Sequence, residues 1–377
     1  MKQLYYLLTT TCNCLLWALA TFARPVDTTT TPVNKAAITP WIAISNTDDK
    51  TIEVYNYNDP VWNSTTRNWL FKPTPALGFS AGAVTALGAG VGDMRLHYTS
   101  GFPGKAKTIM AIQGGRWLGI AAYSPLGSYR KGQKLWELTY PENEDPNDHA
   151  VELLPNGNLV VAGFGNGTQS PYGNWIRVYN TATPDTAQYA QVRLTGAHAL
   201  YYDTHAQRLW AGGQVIINGK AHHGIFAYII GGTRAQPTIV EDTSLRAVLP
   251  YGDPVGSPAN ALKWPHDITP DYDDYGKLIY ADHTGVYLYN KQTKQFVATP
   301  GASHKFAYDG VDIPIKSAGK EAAGGYYVVT NVSDAPRHPY ETNSVDFYDP
   351  VSGALVFQRF VKGYTIYRAR IWTPVFE

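Results

Sequence analysis

The chain has 377 residues, 31 of them basic and 30 acidic, for a formal net charge of +1 and a charged fraction of only 16%. So even a balance provides no electrostatic footprint for nucleic acid or an anionic membrane surface. The 27 Tyr and 10 Trp beside 35 Gly and 25 Pro favour many short strands joined by tight turns.

The N-terminus reads as a secretory signal over residues 1–23. Lys2 precedes an apolar run through "LLWALA", and small residues stand at Ala18, Ala20 and Ala23, with cleavage expected after Ala20 or Ala23. Its apolar core is too short for a membrane span, and no later run is long enough for one. Residues 24–40, "RPVDTTTTPVNKAAITP", form a Thr- and Pro-rich leader without periodicity, suited to O-glycosylation. Cys12 and Cys14 both lie in the signal, so the mature chain is expected to be secreted without any thiol or disulfide. Sequons at Asn63, Asn166 and Asn331 fit a glycoprotein.

From Trp41 to the C-terminus the pattern is all-β, with runs of four to seven strand-like residues broken by Gly, Pro, Asn or Asp. The runs fall into repeating units. "DMRLHYTSG" opens one at Asp93, "HAVELLPNGNLVVAG" a second at His149 and "HALYYDTHAQRLWAGG" a third at His198. "HDITPDYDDYGKLIYADHTGVYLYN" opens a fourth at His266 and "HKFAYDG" a fifth at His304. "YRARIWTPVFE" begins a sixth, whose missing strands appear near the N-terminus as "WIAISNTDDKTIEVYNYN". These starts, with Arg370 as the last, are 56, 49, 68, 38 and 66 residues apart, irregular but near the length of a four-stranded blade. Residues 41–377 are therefore expected to form a single six-bladed β-propeller, closed by pairing the C-terminal strand with the N-terminal ones so that no edge stays free. The 68-residue unit leaves room for a concealed partial blade.

Residues at matching positions in the innermost strands of a propeller form a ring around its axis. Asp93, His149, His198, His266, His304 and Arg370 are expected to form that ring, Arg370 because "RIWTP" matches "HDITP" in spacing. Such a ring can be a structural plug, a divalent metal site built on imidazole and carboxylate, or the floor of a ligand pocket. In the last case Arg95, Arg368 or Arg370 would pair an anionic group and a histidine would move protons, with Tyr98 or Tyr367 as acid. Metal binding requires the channel to be narrow, since the bonds are only about 2 Å long.

Other features are read more plainly. Glu152 is expected between blades, "PDYDDYG" as an acidic hairpin turn without the Gly and Glu of a calcium loop, Asp282 as a turn cap beside His283, and His222 and His223 as an exposed loop pair. "GAGVG" lacks the Lys and helix of a nucleotide site, and no Gly-x-Ser-x-Gly elbow is present.

The openings "NDHAVELLPNGNLVVAG", "GAHALYYDTHAQRLWAGG" and "WPHDITPDYDDYGKLIYADHTGVYLYN", with "VWNSTTRNWLFKP", resemble a family of secreted six-bladed propellers known only as a domain of unknown function. The similarity spans residues 41 to 373 and implies the same fold, export and a role for Asp93, Arg95, His149, His198 and His266. A looser likeness of fold and of His and Arg placement is to propeller lyases acting on uronic-acid sugars. The expectation is a monomer binding a small, carbohydrate-type ligand at the channel mouth through Asp93, Arg95, His149, His198, His266, His304, Arg368 and Arg370. A sugar lyase or hydrolase with one of the four histidines as base is the enzymatic alternative, and an extracellular protein-interaction scaffold a further one.

Overall fold

The computed structural model describes residues 40–98, 108–124, 129–144, 147–164, 173–183, 186–254, 263–301, 307–308, 311–312, 315–322, 324–331, 341–361, 363 and 365–373. The expected signal, nearly all of the expected leader, His304 and Asn166 lie outside these residues.

Six four-stranded antiparallel units follow one another. Their first strands are Asp93–Tyr98, Asp148–Leu153, Thr195–Asp203, Asp267–Pro270, Ile315–Lys320 and Ile366–Ile371, and the units are numbered blades 1 to 6 in that order. These strands lie innermost because only they reach across the axis: Arg95 of blade 1 bonds to Ile268 O of blade 4, and Arg370 of blade 6 bonds to Asp93 of blade 1 and Asp267 of blade 4. Burial falls outward as this requires. The inner strand of blade 4 is buried throughout, while the outermost strand of blade 2, Tyr189–Arg193, alternates exposed and half-buried residues. In blade 6 the C-terminal strand pairs with Trp41–Asn46 in the register Ile371↔Ile42, Arg370↔Ala43 and Ala369↔Ile44, which closes the ring as expected.

The hairpins obey their turn residues. In "LPNGN", Gly157 takes φ +89°, Gly157 N–H donates to Leu154 O at 2.8 Å and Leu154 N–H to Asn158 O at 2.9 Å, returning the chain into Leu159–Gly163. Apolar faces of neighbouring blades then interleave. Ile109, Leu118, Ile120 and Trp136 of blade 1 meet Val151, Leu159, Val161 and Trp175 of blade 2. Trp175 lies across Gly163, where a Cβ would come within 2.6 Å of the indole, so the ring packs only because that position has no side chain.

Two expectations change. Among the described residues the long interval after His198 holds no further blade: Ala247–Val248 and Asp253–Pro254 add to the third strand of blade 3, Lys220–Gly232. The fifth unit does not open its inner strand at "HKFAYDG". Ala307–Tyr308 and Val311–Asp312 form a separate two-stranded piece, and the inner strand of blade 5 begins at Ile315.

Candidate functional site

Hydrogen bonds between blades fix which inner-strand residues are equivalent. The Asp93 carboxylate accepts from Val151 N–H, that of Asp267 from Ala318 N–H, and the Ser317 hydroxyl from Ala369 N–H. Each bond runs from one blade to the next residue but one level on, so Asp93, Ala150, Asp267, Ser317 and Arg368 share a level. One residue earlier stand Gly92, His149, His266, Lys316 and Tyr367, with His198 beside His149 and His266. The ring at this mouth is therefore His149, His198, His266, Lys316 and Tyr367, with a glycine in blade 1. Asp93 lies one residue deeper than expected and Arg370 three residues deeper, while Lys316 takes the place assigned to His304.

The imidazoles touch in series. His149 lies tilted against His198 with ring centres 3.8 Å apart, His198 Nε2 is 3.0 Å from His266 Nδ1, and His266 Nε2 is 2.7 Å from His283 Nε2. Lys316 Nζ approaches the same His266 Nε2 at 3.3 Å. When Lys316 donates there, His266 carries its proton on Nδ1, gives it to His198 Nε2, and leaves the His198 proton on Nδ1. At the outer end His149 Nδ1 lies 3.0 Å from the Tyr367 hydroxyl. His149 and Tyr367 are half-buried, whereas His198, His266, His283 and Lys316 are buried. Phe164 packs its edge on His149 and His198, and Trp264 backs Phe164.

Burial holds all four imidazoles well below their ordinary range. Lys316 and Arg368 add to this at His149; His149 and Lys316 do so at His198; Lys316 and His198 do so at His266. His283 is pushed down to about 2 by burial, with Lys316 and Lys263 contributing. Burial, reinforced by Arg368, also drives the Lys316 amine well below the usual lysine range. The mouth thus presents neutral rings able both to donate and to accept hydrogen bonds at neutral pH.

Beneath this ring lies an ionic layer. Arg370 Nε and Nη2 donate to Asp93 Oδ1 at 3.1 and 2.7 Å, and Nη1 donates to Asp267. Arg368, fully buried, donates to His149 O at 2.8 Å and faces both carboxylates at 3.6 and 3.7 Å. Burial alone would raise the Asp93 carboxyl, but Arg370, Arg368 and Arg95 together hold it below its usual value. This layer ties blades 1, 4 and 6 together. It also separates the expected ligand residues: Arg370 belongs to the ionic layer itself and Arg95 joins it through Asp267, both apart from the histidine ring, and Tyr98 stands exposed at the far end of its strand.

Several readings of single residues resolve in the same way. Glu152 is buried between blades, accepting from Leu153 N–H at 2.9 Å and Tyr202 N–H at 3.1 Å and facing His97. Asp282 caps its turn by accepting from Thr284 N–H and Gly285 N–H, and this turn carries His283 into the channel. "PDYDDYG" is a turn whose Asp271 and Asp273 both meet Lys320. His222 and His223 lie in the third strand of blade 3 instead of a loop; His223 is wholly buried against Trp264, and His222 is half-buried with Nδ1 on Leu249 O. Asn63 is exposed, but Asn331 is buried and its amide donates to Asp346 at 2.8 Å, leaving no room for a glycan without opening the strand.

Among the described residues no group of three or more His, Cys, Asp or Glu is placed to hold a metal ion. His266 shows why: it spends its two nitrogens on neighbours on opposite sides, so the imidazoles form a chain and do not converge on one point.

His283 and Lys316 were the residues missed. A spacing signal existed for Lys316, since the return strand begins 11 residues later at Tyr327, as the return after His266 begins 11 residues later at Lys277. The fold and this mouth define the chain as a six-bladed β-propeller with an imidazole-lined channel entrance. No family model matches the chain and no curated protein does, so its resemblance to propellers of unknown function rests on the quoted openings alone.

Proposed function

We propose that the protein is a secreted propeller that binds a small carbohydrate-type ligand at the histidine mouth. The observation carrying this reading is the half-buried pair His149 and Tyr367, set over a buried chain of neutral imidazoles and Lys316. Imidazole and phenol groups offer paired donors and acceptors to sugar hydroxyls, and the ring has no carboxylate of its own to repel an acidic sugar. The Arg368 guanidinium behind it supplies positive potential for a uronate.

The 3.0 Å contact between Tyr367 and His149 favours a second, catalytic reading. On that reading His149, held neutral by burial, is the base, and Tyr367 is the group that passes a proton on. Binding and catalysis separate in one experiment. Thermal shifts of wild type, His149→Ala and Tyr367→Phe are measured with neutral and uronic oligosaccharides, and ultraviolet absorbance is followed for unsaturated product. A shift in wild type that both variants lose supports binding at the mouth; product formed by wild type alone adds the lyase reading. With no sugar-dependent shift and no product, the mouth is a structural plug and a scaffold role for the loops takes its place.

A further inference from the structure

The sequence holds three Asn-Gly pairs, Asn156-Gly157, Asn166-Gly167 and Asn218-Gly219, and the fold treats the two described ones in opposite ways. In Asn156-Gly157 both groups that could react are tied down. The Asn156 side-chain oxygen accepts from Asn158 N–H at 3.0 Å, and Gly157 N–H donates to Leu154 O at 2.8 Å. Gly157 is also buried, and its carbonyl accepts from the Thr181 hydroxyl at 2.6 Å. Asn218-Gly219 instead forms the tip of an arm made by the second and third strands of blade 3, Arg208–Ile217 and Lys220–Gly232.

This arm outruns its blade. Gln214 pairs with Thr195, three residues before His198, and Val215, Ile216 and Ile217 continue past that point on the side of the histidine mouth. At the tip Asn218 and Gly219 take φ of +49° and +74°, the two positive values of a type I′ turn. Both are exposed, a Cβ on Gly219 would meet nothing within 4 Å, and among the described residues neither the Asn218 carboxamide nor Gly219 N–H makes a hydrogen bond. Ile216 and Ile217 next to them are 53% and 38% exposed, so the end of the arm opens with little loss of burial. Asp253–Pro254 pairs with Lys220 and Ala221 and confines that opening to the tip.

We propose that Asn218 is a self-modification site, where the chain converts to isoaspartate and aspartate with water as the only co-reactant. The Gly219 nitrogen gives its proton to solvent base and attacks Asn218 Cγ. The Cγ–Nδ2 bond breaks, ammonia leaves, and a five-membered succinimide remains. Water then cleaves one of the two carbonyl bonds to that nitrogen. Cleavage at the main-chain carbonyl leaves the chain running through Cγ as isoaspartate, and cleavage at Cγ gives aspartate; nothing is oxidised or reduced. A glycine at 219 leaves the attacking nitrogen unscreened by a side chain. The product sets a carboxylate beside Lys220, and in isoaspartate the main chain gains one methylene, so the two-residue turn no longer matches the pairing of Ile217 with Lys220.

The test ages folded wild type at mildly alkaline pH, digests it with trypsin and weighs the fragments, with electron-transfer fragmentation to place the change and to separate isoaspartate from aspartate. The fragment Leu209–Lys220 should gain about 1 Da at Asn218 as the amide becomes an acid, with isoaspartate the larger product. Asn156 in the same folded sample should convert at least about tenfold more slowly. In guanidinium chloride the two should convert at similar rates, which assigns the difference to the fold. Asn218→Gln, whose attack would need a six-membered ring, should leave the fragment's mass unchanged while circular dichroism stays that of wild type. The proposal is overturned if Leu209–Lys220 from folded wild type keeps its mass, if folded Asn156 converts as fast as Asn218, or if the Asn218→Gln fragment gains the same mass.

Discussion

Acidification from pH 7 to pH 5 should destabilise the protein, and the histidine chain sets the sign. His149, His198, His266 and His283 are held low in the folded state, so each contributes stability that is present above the ordinary imidazole value of about 6.5 and is lost as pH falls below it. At pH 5.5 about nine-tenths of unfolded imidazoles are charged, so the unfolded chain holds more protons on these four residues than the folded chain does. Four raised carboxyls oppose this: burial raises Asp271 and Asp346, Asp282 to about 6 and Glu321 to about 7, so the folded state binds more protons there, stability that is gained as pH falls through their folded values. Each proton by which the unfolded state leads adds about 1.4 kcal/mol per pH unit to the slope. Urea denaturation at half-unit pH steps measures this slope directly. His266→Gln should remove that residue's share of the linkage and reduce the slope, by at most about 1.2 kcal/mol per pH unit. A stability that is flat or rises between pH 7 and 5, or a slope that His266→Gln leaves unchanged, would refute the neutral buried chain.

Arg370→Met should cost about 3–5 kcal/mol in urea denaturation, because it leaves Asp93 and Asp267 buried with their main partner gone, and Arg370→Lys should not restore the loss because a single ammonium cannot span both. Trp175→Ala should lose about 3–5 kcal/mol by opening a cavity between blades 1 and 2, read as a lower thermal midpoint. In protein secreted from a eukaryotic host, glycosidase treatment should change the mass through Asn63 and not through Asn331, so Asn63→Gln, and not Asn331→Gln, should abolish that part of the change.

The propeller was legible because each hairpin announces itself through turn residues, as "LPNGN" does, and because the first and last strands are plainly incomplete alone. The ring was legible only in part. His149, His198 and His266 were placed at one level correctly, but aligning "RIWTP" on "HDITP" put Arg370 where Tyr367 stands, a slip of three residues that spacing alone could not detect. Irregular pairing contributes, since the register shifts between Ile44 and Asn46 opposite this strand and again between Asp148 and Ala150. A search for histidine led to His304 and passed over Lys316, which fills the same position with different chemistry. His283 gave no periodic signal because it reaches the channel from a turn, and only the cap at Asp282 aims it there. That Arg95 and Arg370 hold buried carboxylates instead of joining the histidine ring was invisible until Asp93 and Asp267 were seen to be shared between blades.

The strand pair that seals blade 6 also decides how the molecule would respond to tension. Trp41 begins its strand beside Ile371, which ends the partner strand, so the two ends of the propeller leave the same end of one antiparallel ladder. A pull applied between Trp41 and Trp372 loads the Ile42 and Ile371 pair first and passes to the next only after it yields. The ring would open by peeling, one rung at a time, and not by the collective sliding that gives a β-sheet its greatest resistance to force.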